Sequence, residues 1–178
     1  ENLSAANSRI RDVDIAAELA RVMSTSDFPR AFGVSYAKNT VKHLEQIIGM
    51  LTDAGVMSQG VLSPQSMDAD TPQVVHRSNI KTERYHALAA RMRSAQLPLM
   101  VQLMMGLPGM TVESFADDLQ QCIEREVPAR INRTTLLVNS PMNDPAYMAE
   151  PKIETHEPLQ PGRNALVVST ATFTREDW

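Results

Sequence analysis

The run Leu99–Met105 is apolar apart from Gln102, and Gly106, Pro108 and Gly109 break it within four residues. Immediately afterwards Val112, Phe115, Ala116, Leu119 and Ile123 recur at helical spacing. A strand that turns this abruptly sets the N-terminus of the next helix at the strand's carboxyl end. In α/β proteins that is where ligands bind. Gly60–Ser66 and Leu136–Pro141 show the same change from apolar to polar. Three such ends in one chain predict a rim built around a ligand.

The rest of the sequence sets that unit in a repeating βα pattern. Asp12 is positioned to cap a helix with Val13, Ala16, Leu19, Ala20 and Met23 on its apolar face. Ala31–Ala37 reads as a short buried strand. Asn39 is expected to cap a helix carrying Val41, Leu44, Ile48 and Leu51, closed by Gly55. Gly60–Ser63 is the second strand, and Thr71-Pro72 opens a short helix through His76. A longer helix begins at Thr82 and Glu83, with Tyr85, Leu88, Ala89 and Met92 facing inward. Leu99–Met105, a helix over Thr111–Glu126, and a fourth strand over Asn132–Val138 complete the series. Strands alternating with such helices predict βαβ crossovers and a parallel sheet. Four strands do not close an eight-stranded barrel, so the expected fold class is α/β, a partial (β/α) barrel of TIM type. The barrel core is placed at 1–148. The span 149–178 is an irregular, β-prone extension with a strand-like run at Ala165–Phe173, and Thr174–Trp178 reads as the start of a helix.

Composition narrows the function classes. At 178 residues the chain can build one good core. A net charge of −4 argues against nucleic acid as the main partner. No apolar run reaches the ~18 residues of a membrane span, so no membrane partner is expected. The one cysteine, Cys122, rules out an internal disulfide and any cysteine-only metal site, and it points weakly to the cytoplasm. The histidines at 43, 76, 86 and 156 lack metal-ligand spacing.

Several polar groups could act at the rim, each with a plainer alternative. Gly106-Leu107-Pro108-Gly109-x-Thr111 offers a backbone that a ligand can approach closely, or simply a strand-to-helix turn with a threonine cap. Ser63 and Gln65 can hydrogen-bond a ligand, and Arg77 can fork onto a carboxylate or brace the loop through Asp68 or Asp70. Lys38 can bind a carboxylate at the strand end or stay solvated. Pro141–Tyr147 is a rigid polar connection or a lid.

Three passages together resemble the radical S-adenosylmethionine (SAM) superfamily in its cobalamin-binding branch. Ser63-Pro64-Gln65-Ser66-Met67-Asp68 followed by Arg77-Ser78-Asn79-Ile80 resembles that branch's S-L-Q-S-x-D … R-x-N-I element. Met105–Phe115 resembles G-L-P-G-x-T-x-x-S-F, and Leu136–Met142 resembles L-L-P-N-S-P-M. Tyr36-Ala37-Lys38-Asn39 fits the usual end of the preceding strand. Pro64 and Pro72 stand where the branch more often has leucine. The resemblance implies strands three to six of a six-stranded barrel, with the first two strands not represented.

It also implies roles. Ser63, Gln65 and Arg77 would contact the amino-acid end or ribose of S-adenosylmethionine, with Lys38 at the same rim. Gly106, Leu107, Pro108, Val138 and Asn139 would line the adenine. The family's [4Fe–4S] cluster needs three thiolates of a C-x-x-x-C-x-x-C motif, which one cysteine cannot supply. The expectation is therefore part of a radical SAM iron–sulfur enzyme, a cobalamin-dependent methyltransferase or related oxidoreductase, inactive as this chain alone. The substrate is not readable. A closed-shell barrel enzyme binding an anionic metabolite through Lys38 and Arg77, and a non-catalytic interaction barrel, remain as alternatives. An uncovered edge at Ala31–Ala37 would favour pairing with a second copy.

Overall fold

The computed structural model describes residues 3–26, 31–33, 43–68, 71, 82–157 and 164–178, with side chains from residue 13 onward, apart from 32–33 and 82–83. Two compact units emerge. The first comprises 1–63 and 80–101, the second 64–79 and 102–178.

In the first unit, helix α1 (Leu3–Thr25) packs on α2 (Leu44–Asp53). Ala16, Ala20 and Met23 meet Ile47, Leu51 and Val56 in one cluster, on the face the periodicity predicts. The predicted start at Asp12 is corrected: α1 begins at Leu3 and runs through that position. Asn39 lies outside the described residues, and α2 starts after His43, which makes no side-chain cap bond. Gly55 takes φ +71° just past the end of α2, where a residue without Cβ is favoured.

Strand β1 (Ala31–Gly33) pairs parallel with β2 (Met57–Gln65), Ala31 opposite Met57. The rest of the predicted first strand, 34–37, lies outside the described residues. β2 is longer than Gly60–Ser63, beginning at Met57 and running on to Gln65. Helix α3 (Thr82–Ser94) buries Tyr85, Leu88, Ala89 and Met92 as expected. The Gly60 N–H donates to the Pro98 carbonyl at 2.9 Å, which brings β2 beside the chain entering β3 (Leu99–Met105).

In the second unit β3 continues with Leu103 buried, and helix α4 (Val112–Glu124) follows its turn. The predicted inner stripe of α4 is corrected. Val112 and Ile123 are exposed, and the buried residues are Asp118 and Cys122.

The fourth strand is corrected too. Instead of one strand over Asn132–Val138, the chain forms β4 (Ala129–Arg133), breaks at Thr134, and resumes as β5 (Thr135–Leu136). β4 closes a sheet of order β1-β2-β3-β4. After a short helix α5 (Pro145–Ala149) come β6 (Glu154–His156) and β7 (Ala165–Ser169), which with β5 form a second sheet of order β5-β7-β6. Both pairings in it are antiparallel. Thr134 causes the break. Its N–H and hydroxyl both donate to the Met105 carbonyl, at 3.1 and 2.8 Å, while its own carbonyl accepts from Val167 at 2.9 Å. One residue thus serves two sheets. The last residues form a single 3₁₀ turn, Arg175–Asp177, where the start of a helix was predicted.

Candidate functional site

The strand end at Met105 behaves locally as its sequence dictates. Gly106 and Gly109 take φ +78° and +85°, and the Met110 N–H closes the turn onto the Leu107 carbonyl at 3.0 Å. Thr111 then starts α4 through a reciprocal cap: its hydroxyl accepts from Ser114 N–H at 3.1 Å, and Ser114 Oγ accepts from Thr111 N–H at 3.0 Å.

What fills the space at Gly106 was not foreseen. A Cβ there would lie 2.4 Å from the indole of Trp178, far inside van der Waals contact. Trp178 packs edge-on to Phe173 with ring centroids 5.5 Å apart, and the Arg133 guanidinium sits 5.8 Å from the indole centroid. Leu107, Met110 and Phe173 are buried in this cluster, with Met104, Met105 and Phe115 around it. The glycine thus seats an aromatic side chain of the same unit. The indole Nε1–H is buried and finds no acceptor among the described residues.

A second arrangement forms where β2 ends. Ser63 is half-buried at its position in the strand, in the first unit. Gln65, in the second unit, takes φ +73°, a region that a residue with a Cβ rarely adopts. Its side-chain amide donates to Met104 Sδ at 3.1 Å. Ser66 and Met67 are buried next to it. The Met67 N–H donates to Asp118 Oδ1 at 2.9 Å across 51 residues of sequence. Asp68 N–H donates to Ser66 Oγ at 3.1 Å, and Asp68 Oδ2 accepts from both the N–H and hydroxyl of Thr71, at 2.8 and 2.7 Å.

Asp118 is fully buried. Its carboxyl is pushed up to about 6, chiefly by desolvation, with the Asp68 carboxylate adding to the rise; bonds from the Ser66 hydroxyl and the Met67 N–H oppose it. The sequence analysis does not single out Asp118. The available signal was its spacing, three residues after Phe115 and four before Cys122, on the stripe that faces inward.

The remaining predicted residues are distributed unevenly. Gly106, Leu107 and Pro108 are buried together. Val138 is 79% exposed and Asn139 is exposed, in the connection after β5. The Val138 carbonyl accepts from Asn143 Nδ2 at 3.4 Å, Ser140 Oγ accepts from Met142 N–H, and Asp144 caps α5. Lys38 and Arg77 lie outside the described residues, as does the helix expected after Pro72. Among the described residues no three histidines, cysteines or acids form a group that could hold a metal. Cys122 is buried and forms no disulfide. A cluster held by three thiolates therefore does not fit the residues of this chain.

No family model matches the chain. Two curated relatives do. A 2-(S-pantetheinyl)-carbapenam-3-carboxylate methyltransferase of Streptantibioticus cattleyicolor and the cobalamin-dependent radical SAM methyltransferase TokK of Streptomyces tokunonensis are each 28% identical, over 94% of this chain. The chain spans about 27% of their length. Among solved structures it resembles the radical SAM methyltransferase TsrM of Kitasatospora setae. One form, with cobalamin and a [4Fe–4S] cluster, superposes with a TM-score of 0.59 over 90% of the chain and 30% of TsrM, at 17% identity. Another, with tryptophan and a SAM analogue, gives 0.57 over 79% of the chain and 27% of TsrM, also at 17% identity.

Proposed function

With cobalamin-dependent radical SAM methyltransferases as its homologues, we propose that this chain supplies the S-adenosylmethionine-facing rim of such an enzyme. The observation that carries the reading is the match along 94% of the chain to two methyltransferases, one of them named as a cobalamin-dependent radical SAM enzyme. The cluster thiolates and the cobalamin site belong, in this reading, to other parts of the enzyme. The roles of the individual rim residues are part of the proposal. Ser63, Gln65 and Arg77, with Lys38, receive the polar end of the ligand. Gly106, Leu107, Pro108, Val138 and Asn139 lie along the adenine.

S-adenosylmethionine supplies the transferable methyl or adenosyl group when bound; the chain's own residues bind, orient and shield it. The Gln65 amide stands at the strand end, where it can donate to the ligand's carboxylate or ribose oxygens. The Phe173–Trp178 pair keeps the Gly106 turn dry, which strengthens any hydrogen bond made there. No helix among the described residues is long and apolar enough to cross a membrane. A cytoplasmic setting, a separate small-molecule or peptide substrate, and pairing of two copies through the β1 edge belong to the same proposal.

The test is anaerobic reconstitution with iron and sulfide of two proteins: this chain alone and the complete gene product. The complete protein should take up a [4Fe–4S] cluster, bind S-adenosylhomocysteine and turn over S-adenosylmethionine. The chain alone should do neither the first nor the last. Stoichiometric cluster on the chain alone overturns the division of labour. A complete protein that lacks C-x-x-x-C-x-x-C and binds anionic metabolites instead overturns the radical reading.

A further inference from the structure

The turn that carries Gln65 has a feature the motif comparison does not explain. Gln65 sits in the left-handed backbone region although it is not glycine. Such a conformation persists only where the surroundings over-determine it. The residues just after it are tied down by a group distant in sequence. Met67 N–H meets Asp118 Oδ1 at 2.9 Å, and the Ser66 hydroxyl adds to that bond. Asp118 is completely buried on α4, and α4 is itself fixed at its start by the Thr111–Ser114 cap. On the other side Asp68 locks onto Thr71. The turn is therefore clamped at both ends, and the Asp118 bond links it to the helix that begins at the Gly106 turn.

We propose that Asp118 is a positioning residue for the ligand site: it holds the Gln65–Asp68 turn so that the Gln65 side chain stands at the rim in a fixed direction. A buried carboxylate is a poor choice for plain packing, because desolvating it is costly unless it accepts hydrogen bonds. An apolar side chain would fill the same volume without that cost. The acceptor is what the turn requires. Asp118 acts through Met67 and Ser66 and touches no ligand. The inference rests on the functional reading above, since it assigns Gln65 to S-adenosylmethionine.

The experiment uses the complete, cluster-loaded enzyme with Asp118→Asn, Asp118→Ala and Asp118→Leu. The probe is S-adenosylhomocysteine, measured by calorimetry, alongside KM and kcat for S-adenosylmethionine and amide exchange at Met67. Asparagine keeps an acceptor for the Met67 N–H, so affinity should stay within about threefold of wild type and the Met67 amide should stay protected. Alanine and leucine remove the acceptor. Each should weaken binding by about tenfold or more, the loss of one hydrogen bond to a charged group. KM should rise with kcat little changed, and the Met67 amide should exchange faster while the β3 amides keep their protection. Leucine, which keeps the branched outline of heavy atoms, decides the matter if the alanine variant does not fold. Unchanged affinity in a folded leucine variant overturns the proposal, as does an asparagine variant as weak as leucine. Wild-type enzyme that binds no S-adenosylhomocysteine overturns the functional reading and this inference with it. Fast Met67 exchange in a wild type that does bind would overturn the clamp alone.

Discussion

Substituting Gly106 by alanine tests whether the glycine is there for Trp178. Two costs and one gain apply. At φ +78° a residue with a Cβ is disfavoured by roughly 1–2 kcal/mol. The new methyl would lie 2.4 and 2.8 Å from two indole carbons, so ring or backbone must shift, an overpacking cost of roughly 1–3 kcal/mol. Against these, alanine stiffens the unfolded chain by about 0.4–1 kcal/mol. The net destabilisation should be roughly 1–4.6 kcal/mol. The two costs separate in a double-mutant cycle. In a Trp178→Leu background the collision is relieved and only the backbone part remains, so Gly106→Ala should then cost roughly 0–1.6 kcal/mol. The coupling between the sites should be about 1–3 kcal/mol. Urea unfolding followed by far-UV circular dichroism is the assay, because the second substitution removes the chain's one tryptophan. Equal cost of Gly106→Ala in both backgrounds would refute the steric argument and return the glycine to a purely conformational role.

The Asp118 carboxyl, raised from 3.8 to about 6, gives a pH-dependent stability of definite sign. The fold favours the neutral acid, so this group's contribution is complete below about pH 3.8 and is lost as pH rises through 6. The loss amounts to up to roughly 3 kcal/mol by pH 8. Asp118→Asn should therefore gain on wild type between pH 5 and pH 8 in paired denaturant melts, and parallel curves would exclude the effect. Thr111→Ala removes one half of the reciprocal cap at the start of α4 and should cost about 1 kcal/mol. Amide exchange should speed up selectively in the first turn of the helix, and uniform loosening would contradict that.

The parts legible in sequence were those fixed by local chemistry. The β3 strand, its glycine turn and the Thr111 start of α4 follow from an apolar run, two breakers and a cap within a dozen residues. The inner faces of α1 and α3 follow from their period. Several of the failures needed a distant partner. Asn132–Val138 reads as one strand because nothing local in Thr134 announces that it will bond Met105 on one side and Val167 on the other. Asp118 goes unremarked in the sequence because its partner, Met67, lies 51 residues away. The sequence around Gly106 does not show what packs against it, because its indole neighbour lies 72 positions further on. The α4 face was misjudged for a simpler reason: Val112 and Ile123 are apolar but stand at the edge of the buried stripe, and the centre is held by an acid and a cysteine.

The fork at Thr134 also makes the molecule modular. Upstream of it, β4 is locked to the main sheet; downstream, β5, β6 and β7 form a small antiparallel sheet with its own apolar centre of Leu136, Ile153 and Val167. Residues can therefore be inserted or deleted between β5 and β7 without altering the register of any strand in the main sheet. A lineage that varies the connections on either side of β6 can change their length while the strands of the main sheet keep their register.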